Sequence, residues 1–390
     1  MKIIYIILLS LPLATLVRGE GIEEALRLVA ANNRELKIND YQSLAVNSQY
    51  AAMNALPGPS VSYTRQYGER AGINGELIAS QGFDFPSLYV ERSRLALSKA
   101  RSLETRQGEL RRQILLEAKE ICLDLILLRK EGGLLDERLN NAAELERLYL
   151  KRLETGDANR LETNRISLEL LNVKTAARRN AIAIEAKLKD LEALNGGIPL
   201  AFDDNIYGAP EGLPSLEDLL SEHLAVDPSL GALRSEEAVA KQALKVSRAG
   251  WLPSFEVGYQ LNTATGGERF SGFLVGISLP VFSNRHKVRE AKAGIIYSAL
   301  RYEGEAAKSA SELRQLYRRS LALRESMDEY RRLLDEGDNL SPINKALQSG
   351  RISMIEYFAE LTSLYESRSS YMQIENDYRK TSARLLRHRL

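Results

Sequence analysis

The sequence predicts a mainly α protein with a small β part, built twice over as helix, two strands and long helical hairpin. Three observations predict it. Landmarks recur at one offset: Gly156 and Gly350 (350 − 156 = 194), Pro59 and Pro253, and Pro86 and Pro280 are all separated by 194 residues. A constant offset over separated landmarks marks a tandem duplication, and a period this long is a duplicated half rather than a solenoid repeat. Apolar residues recur at helical spacing along proline-free runs, the longest between Pro86 and Pro199. Four short stretches instead alternate apolar and polar residues, the period of a strand.

In order, 1–19 reads as a secretory signal, with basic Lys2 followed by the apolar run from Ile3 to Val17. The first repeat spans 20–198, a linker 199–214, and the second repeat 215–390. Gly21 to Leu56 has helical spacing, ended by Pro57-Gly58-Pro59. Val61, Tyr63 and Tyr67 alternate with small polar residues. After an expected loop around Glu69–Asn74, Leu77, Ala79, Phe83 and Phe85 do the same. Pro86 marks the exit into a helix of about 65 residues, which would reach roughly 100 Å if unbroken. Gly132-Gly133 is a place where it would loosen. After Gly156 the run Leu161 to Leu194 returns antiparallel, stopped at Asn195-Gly196-Gly197.

The second repeat follows the same plan. Leu216 to Arg248 is helical with a break at Asp227-Pro228. Phe255, Val257, Tyr259 and Leu261 alternate with Glu256, Gly258, Gln260 and Asn262. Phe273, Val275, Ile277 and Leu279 form the fourth strand, with Gly266-Gly267 in the turn. Helix then runs to about Glu336, Gly337 to Pro342 interrupts it, and a last helix reaches about Arg387.

The two tips are alike. Leu153-Glu154-Thr155-Gly156 and Leu347-Gln348-Ser349-Gly350 each end a helix at a glycine, the residue that enters the left-handed region without steric cost. Asp157 and Ser353 are the expected N-caps of the returning helices.

Composition excludes other classes. Lys+Arg 53 against Asp+Glu 52 gives no electrostatic case for nucleic acid. The single Cys122 lies in a helical run and reads as a small apolar side chain, without disulfide or metal cluster. No HExxH, GxSxG or P-loop pattern is present. His223, His286 and His388 are scattered and expected on the surface. No catalytic residue, metal ligand or cofactor is predicted.

Four strands cannot close a barrel, so their apolar faces need cover. Helices could supply it, in a soluble α+β protein. The strands are also about as long as a tilted membrane strand, about 9–11 residues. Several chains sharing one closed barrel would leave no edges in lipid. On that reading Val257, Tyr259, Val275 and Ile277 face the lipid.

Taken together, residues 21–387 resemble the TolC-type outer-membrane efflux proteins. The resemblance is carried by the two tips with Leu161-Glu162 and Ile355-Glu356, by Ala177 to Leu188, and by Gly276-Ile277-Ser278-Leu279-Pro280-Val281-Phe282. It implies a homotrimer in which three times four strands make a 12-stranded β-barrel on an α-helical tunnel through the periplasm. It implies docking of a periplasmic adaptor, bound to an inner-membrane pump, at Thr155, Gly156, Ser349 and Gly350. It further implies a periplasmic gate at Glu356, with Glu162 at the matching position and Arg351 as a tie to Glu162. A second family carboxylate three residues past Glu356 is replaced by Ala359, with Glu360 next to it. The alternative is a periplasmic adaptor or coiled-coil binding protein, which would carry one hairpin flanked by β-rich domains.

Overall fold

The computed structural model describes residues 21–68, 72–209, 212–263, 268–280, 284–334 and 340–390. The expected signal segment, Gly266-Gly267, Val281-Phe282 and Gly337 lie outside the described residues. The elements are α1 (Gly21–Asn32), α2 (Arg34–Ala52), β1 (Ser60–Gly68), β2 (Gly72–Phe83), α3 (Pro86–Thr155) and α4 (Arg160–Leu194). They continue as α5 (Leu216–Val226), α6 (Pro228–Ala249), β3 (Ser254–Thr263), β4 (Arg269–Ser278), α7 (Asn284–Leu334), α8 (Leu340–Gln348) and α9 (Met354–Leu385). Both halves therefore run helix pair, strand pair, long helix, returning helix, with the short α8 added before the returning helix of the second half. No helix among the described residues is long and apolar enough to cross a membrane.

The chain forms two compact units, and each draws on both repeats. One, the hairpin unit, contains residues up to Arg34, Gln113–Pro214 and Gln315–Leu390; the other, the sheet unit, contains Glu35–Arg112 and Ser215–Arg314.

In the hairpin unit the core is a set of heptad-like seams. Ile114, Ile121, Leu125 and Ala142 of α3 are buried, as are Ile166, Leu170 and Val173 of α4. Gly132-Gly133 does not loosen α3, which stays helical throughout. Gly132 makes room for Asn180 of α4, whose amide donates to the Leu128 carbonyl at 2.9 Å. Cys122 is fully buried, and burial pushes its thiol up to about 12. The 199–214 segment is more than a connection. Phe202 and Tyr207 are buried, Arg129 donates to the carbonyls of Phe202 and Asp204, and the Tyr207 hydroxyl donates to Asn376 at 3.1 Å.

Several local expectations change. The first helix is broken at Asn33, whose amide donates to the Leu194 carbonyl at 2.8 Å. The interruption expected at Gly337 to Pro342 falls between α7, which ends at Leu334, and α8, which begins at Leu340, just before Pro342. That proline stands in the first turn of α8, where a missing N–H leaves no helical bond unmade.

The sheet unit holds a four-stranded antiparallel sheet in the order β1-β2-β3-β4. β2 and β3 join the hairpin of one repeat to that of the other, pairing Phe83 with Phe255 and Ala79 with Tyr259. β2 begins at Gly72, so Gly72 to Asn74, expected in the loop, belong to the strand, and Gln66 pairs with Asn74; the rest of that loop lies outside the described residues. Phe85 lies past the strand, its ring 6.3 Å from Phe255. Asp227 closes α5 and caps α6, accepting from the amides of Ser229 and Leu230. His223 is buried, not exposed. Its Nδ1 lies 3.3 Å from Asp227 and its Nε2 2.6 Å from the Ser309 hydroxyl of α7. His388, in the hairpin unit, is also buried.

Candidate functional site

Two features stand out, one in each unit: the paired tips of the helical hairpins and one face of the sheet.

At the first tip, Gly156 has φ +81°. Its amide donates to Leu153 at 3.2 Å and the Asp157 amide to Arg152 at 2.8 Å, the paired bonds of a Schellman ending. Gly350, φ +71°, repeats this with Leu347 and with Arg351 to Ala346. Nothing lies within 4 Å of a Cβ built at either glycine, so the glycine requirement is conformational. Thr155 and Ser349 are exposed, with hydroxyls donating locally, to the Arg152 carbonyl and Asp157 carboxylate and to the Ala346 carbonyl.

The returning helices start from capping boxes. Ser353 accepts from the Glu356 amide at 3.2 Å and its own amide donates to the Glu356 carboxylate at 2.7 Å. In the first repeat the cap is Asn159, paired reciprocally with Glu162 at 2.9 and 3.0 Å, and not Asp157. The Asp157 amide closes α3, and its carboxylate accepts from the Thr155 hydroxyl at 2.8 Å. Asn159 and Ser353 are again 194 apart (353 − 159 = 194), as are Glu162 and Glu356.

The candidate gate residues thus have a local task. The Ser353 backbone N–H, and then its hydroxyl, hold the Glu356 carboxyl below its ordinary value. Glu356 and Arg351 are exposed, and Glu162 is half-buried. Among the described residues of one chain, no ion pair joins Arg351 to Glu162; the Glu162 carboxylate is on the Asn159 amide.

The sequence marks the apolar neighbours of these two carboxylates, Leu161 and Ile355, but not their exposure. Leu161 is 81% exposed and Ile355 66% exposed, large apolar groups at matching positions on the first turns of α4 and α9. The signal was present, an apolar residue off the buried face of each helix. Behind the tips lies a cluster of Leu145, Tyr149, Ile166, Leu347, Met354, Tyr357, Phe358, Leu361 and Tyr365, drawn from both hairpins.

The sheet face is decided by register. Val257 pairs with Val275, Tyr259 with Phe273, and Phe255 with Ile277. Through β2 and β1 the same face carries Leu77, Ala79, Val61 and Tyr63. Among the described residues no helix covers it: Val275 is 76% and Phe273 91% exposed, and Val61, Tyr63, Val257, Tyr259 and Ile277 are exposed too. The Tyr259 and Phe273 rings meet edge to face at 6.0 Å. The opposite face carries Ser60, Ser80, Glu76, Gln260 and Asn262, with Ile78, Leu274 and Phe270 as exceptions. There the Ser60 and Ser80 hydroxyls bond at 2.8 Å and the Gln260 amide donates to Glu76. Edges β1 and β4 each have one free side.

This combination of duplicated hairpins and a bare four-stranded sheet is the fold of the TolC-type outer-membrane channels. VceC, an outer-membrane protein of Vibrio cholerae, superposes with TM-score 0.77 at 14% identity, over 94% of this chain and 95% of that one. The CmeC outer-membrane channel of Campylobacter jejuni gives TM-score 0.72 at 16% identity, over 95% and 85%. The open MtrE channel of Neisseria gonorrhoeae gives 0.71 at 16%, over 94% and 88%. No family model matches the sequence, and no curated protein matches it.

Proposed function

We propose that this chain is the outer-membrane channel-tunnel of a tripartite efflux or export system, a passive exit duct for substrates delivered by an inner-membrane pump through a periplasmic adaptor. The observation that carries the reading is the uncovered apolar face of the sheet. A water-soluble sheet hides such a face, and exposed apolar patches of this kind mark membrane or protein contacts. The two open edges complete the argument. In lipid an unpaired edge costs several kcal/mol per polar group, so the edges must be closed by further strands. Three copies contributing four strands each give a 12-stranded barrel.

On this reading Val257, Tyr259, Val275 and Ile277 face lipid. Thr155, Gly156, Ser349 and Gly350 form the adaptor-docking tips, with Leu161 and Ile355 as the apolar side chains a partner helix would cover. Glu356 lines the periplasmic gate, beside Glu162 and Arg351. The repeat boundaries, 20–198 and 215–390, follow the 194-residue offset, and 1–19 directs export. The adaptor alternative is not favoured. The strand pairs from both repeats form one sheet, and the solved structures of this fold named above are outer-membrane proteins.

Fractionation and detergent mass test the reading. The chain is expected in the outer-membrane fraction, extracted only by detergent, as a trimer. A soluble or inner-membrane chain, or a monomer in mild detergent, would overturn it.

A further inference from the structure

Resting on the channel reading just proposed, we infer that Arg65 and Arg269 hold the phosphate of an outer-leaflet lipid against the apolar face of the sheet. One row of paired residues crosses all four strands: Arg65 with Gly75, Gly75 with Thr263, and Thr263 with Arg269. Side chains alternate along a strand, so this row shares its face with Tyr63, Leu77 and Leu261, one row away. Both arginines are exposed.

Charge is divided by face. Among the described residues of the four strands, Arg65 and Arg269 are the only charged side chains on the apolar face, and Glu76 and Glu256 the only ones on the other. Glu76 accepts from Gln260 on its own side. No carboxylate among the described residues pairs with either arginine, although Glu268 precedes Arg269 in the chain. The Arg65 guanidinium lies 5.5 Å from the centre of the Tyr67 ring. Stacking occupies one face of its plane and leaves the N–H edges to a partner outside the chain.

The row also stands at one end of the apolar band. The strand ends at Ser60, Phe83 and Ser254 lead to helices, and the arginine row adjoins the hairpin turns. From Thr263 back to Phe255 in the last apolar row is about 27 Å along β3. At the usual tilt of a barrel strand that is about 20 Å of height, close to the apolar band such a barrel presents. An arginine on the lipid side is costly at the midplane and nearly free at the interface, so this row sits among headgroups. With the helices on the periplasmic side, the headgroups are those of the outer leaflet. There a guanidinium takes a phosphate through two parallel N–H···O bonds, while the apolar rows below take the acyl chains. Gly75 brings no side chain between the two arginines, and the Tyr63 hydroxyl stands 2.9 Å from where its Cβ would be, a further donor in the row.

The test is native mass spectrometry of the full-length chain in mild non-ionic detergent, with lipid A, an acylated sugar bearing phosphomonoesters, as the probe. The trimer is expected to retain lipid A, and Arg65→Gln with Arg269→Gln to weaken its binding about tenfold. Arg65→Lys with Arg269→Lys keeps the charge but loses the paired bonds, and is expected to fall between. Glu76→Gln, on the other face, is expected to bind as the native chain does. Should the double Gln variant not assemble, the single variants Arg65→Gln and Arg269→Gln, each expected to bind less, decide in its place. Phosphatidylcholine, whose choline offsets its phosphate, is expected not to compete. A trimeric mass with lipid A held equally by the native chain and the Gln variants overturns the site and leaves the channel reading intact. Displacement of lipid A by millimolar inorganic phosphate would show a site for free anions and overturn the lipid assignment. A monomeric mass overturns the channel reading and the site with it.

Discussion

The side-chain amide of Asn141 on α3 donates to the hydroxyl of Tyr357 on α9 at 3.0 Å. The Tyr357 hydroxyl donates to Asn344 of α8 at 2.7 Å, and the Asn344 amide donates back to Asn141 at 3.3 Å. Three side chains, with Asn141 from the first repeat and Asn344 and Tyr357 from the second, close a ring of hydrogen bonds beside the apolar cluster of the tips. Tyr357 is fully buried, and burial raises its phenol above the ordinary value, so the ring stays intact at neutral pH.

Tyr357→Phe removes the centre of that ring and leaves two half-buried amides short of a partner. The expected loss is about 1–3 kcal/mol of stability. Denaturant unfolding of the detergent-solubilised chain measures it. An unchanged midpoint would show that water replaces the hydroxyl at no cost.

Register separates the two sheet faces. Val257→Arg places a charge on the apolar face and should cost about 2–4 kcal/mol in the membrane if near the midplane. Gln260→Arg, on the other face and next to Glu76, should assemble normally. Equal trimer yields for the two variants would contradict the lipid-facing assignment.

The tips need two kinds of variant. Gly156→Ala or Gly350→Ala forces a Cβ into positive φ, at about 1 kcal/mol, and tests helix closure. Leu161→Ser with Ile355→Ser leaves both endings intact and removes only exposed apolar surface. Export should fall strongly in the second case while trimers remain in the membrane. Export unchanged by the double serine variant would remove these side chains from the docking surface.

Glu356→Gln keeps the capping box, since Gln accepts from the Ser353 amide as Glu does. It should therefore preserve α9 while weakening cation selectivity in planar-bilayer conductance, if three Glu356 carboxylates surround one axis. The single-chain pH effect has a definite sign. The folded carboxyl titrates below its ordinary value, so its contribution to the α9 N-terminus is present above the unfolded pKa. It is lost as pH falls through the lower folded value. Amide protection at Glu356 and Tyr357, corrected for intrinsic exchange, should drop in that acid window in the native chain and not in Glu356→Gln. Identical profiles would show that the cap carries no charge dependence.

What the sequence alone determined is local or periodic. The 194-residue offset, the four period-two stretches, the tip glycines and the Ser353 cap all follow from short-range rules. Chain dihedrals and alternation act over a few residues, so a duplicated pattern exposes itself twice. Even there, the cap expected at Asp157 falls to Asn159, while Asp157 closes α3 through its amide and holds Thr155 through its carboxylate. What only the tertiary structure decided is pairing between distant residues. Burial of His223 depends on Ser309, of Phe202 and Tyr207 on α3 and α9, and of Tyr357 on Asn141 and Asn344. Nor does alternation say whether a helix covers the apolar strand face. The strand register and the exposure of Phe273 and Val275 say that none does, because a polar group or an apolar face finds its partner across space and not along the chain.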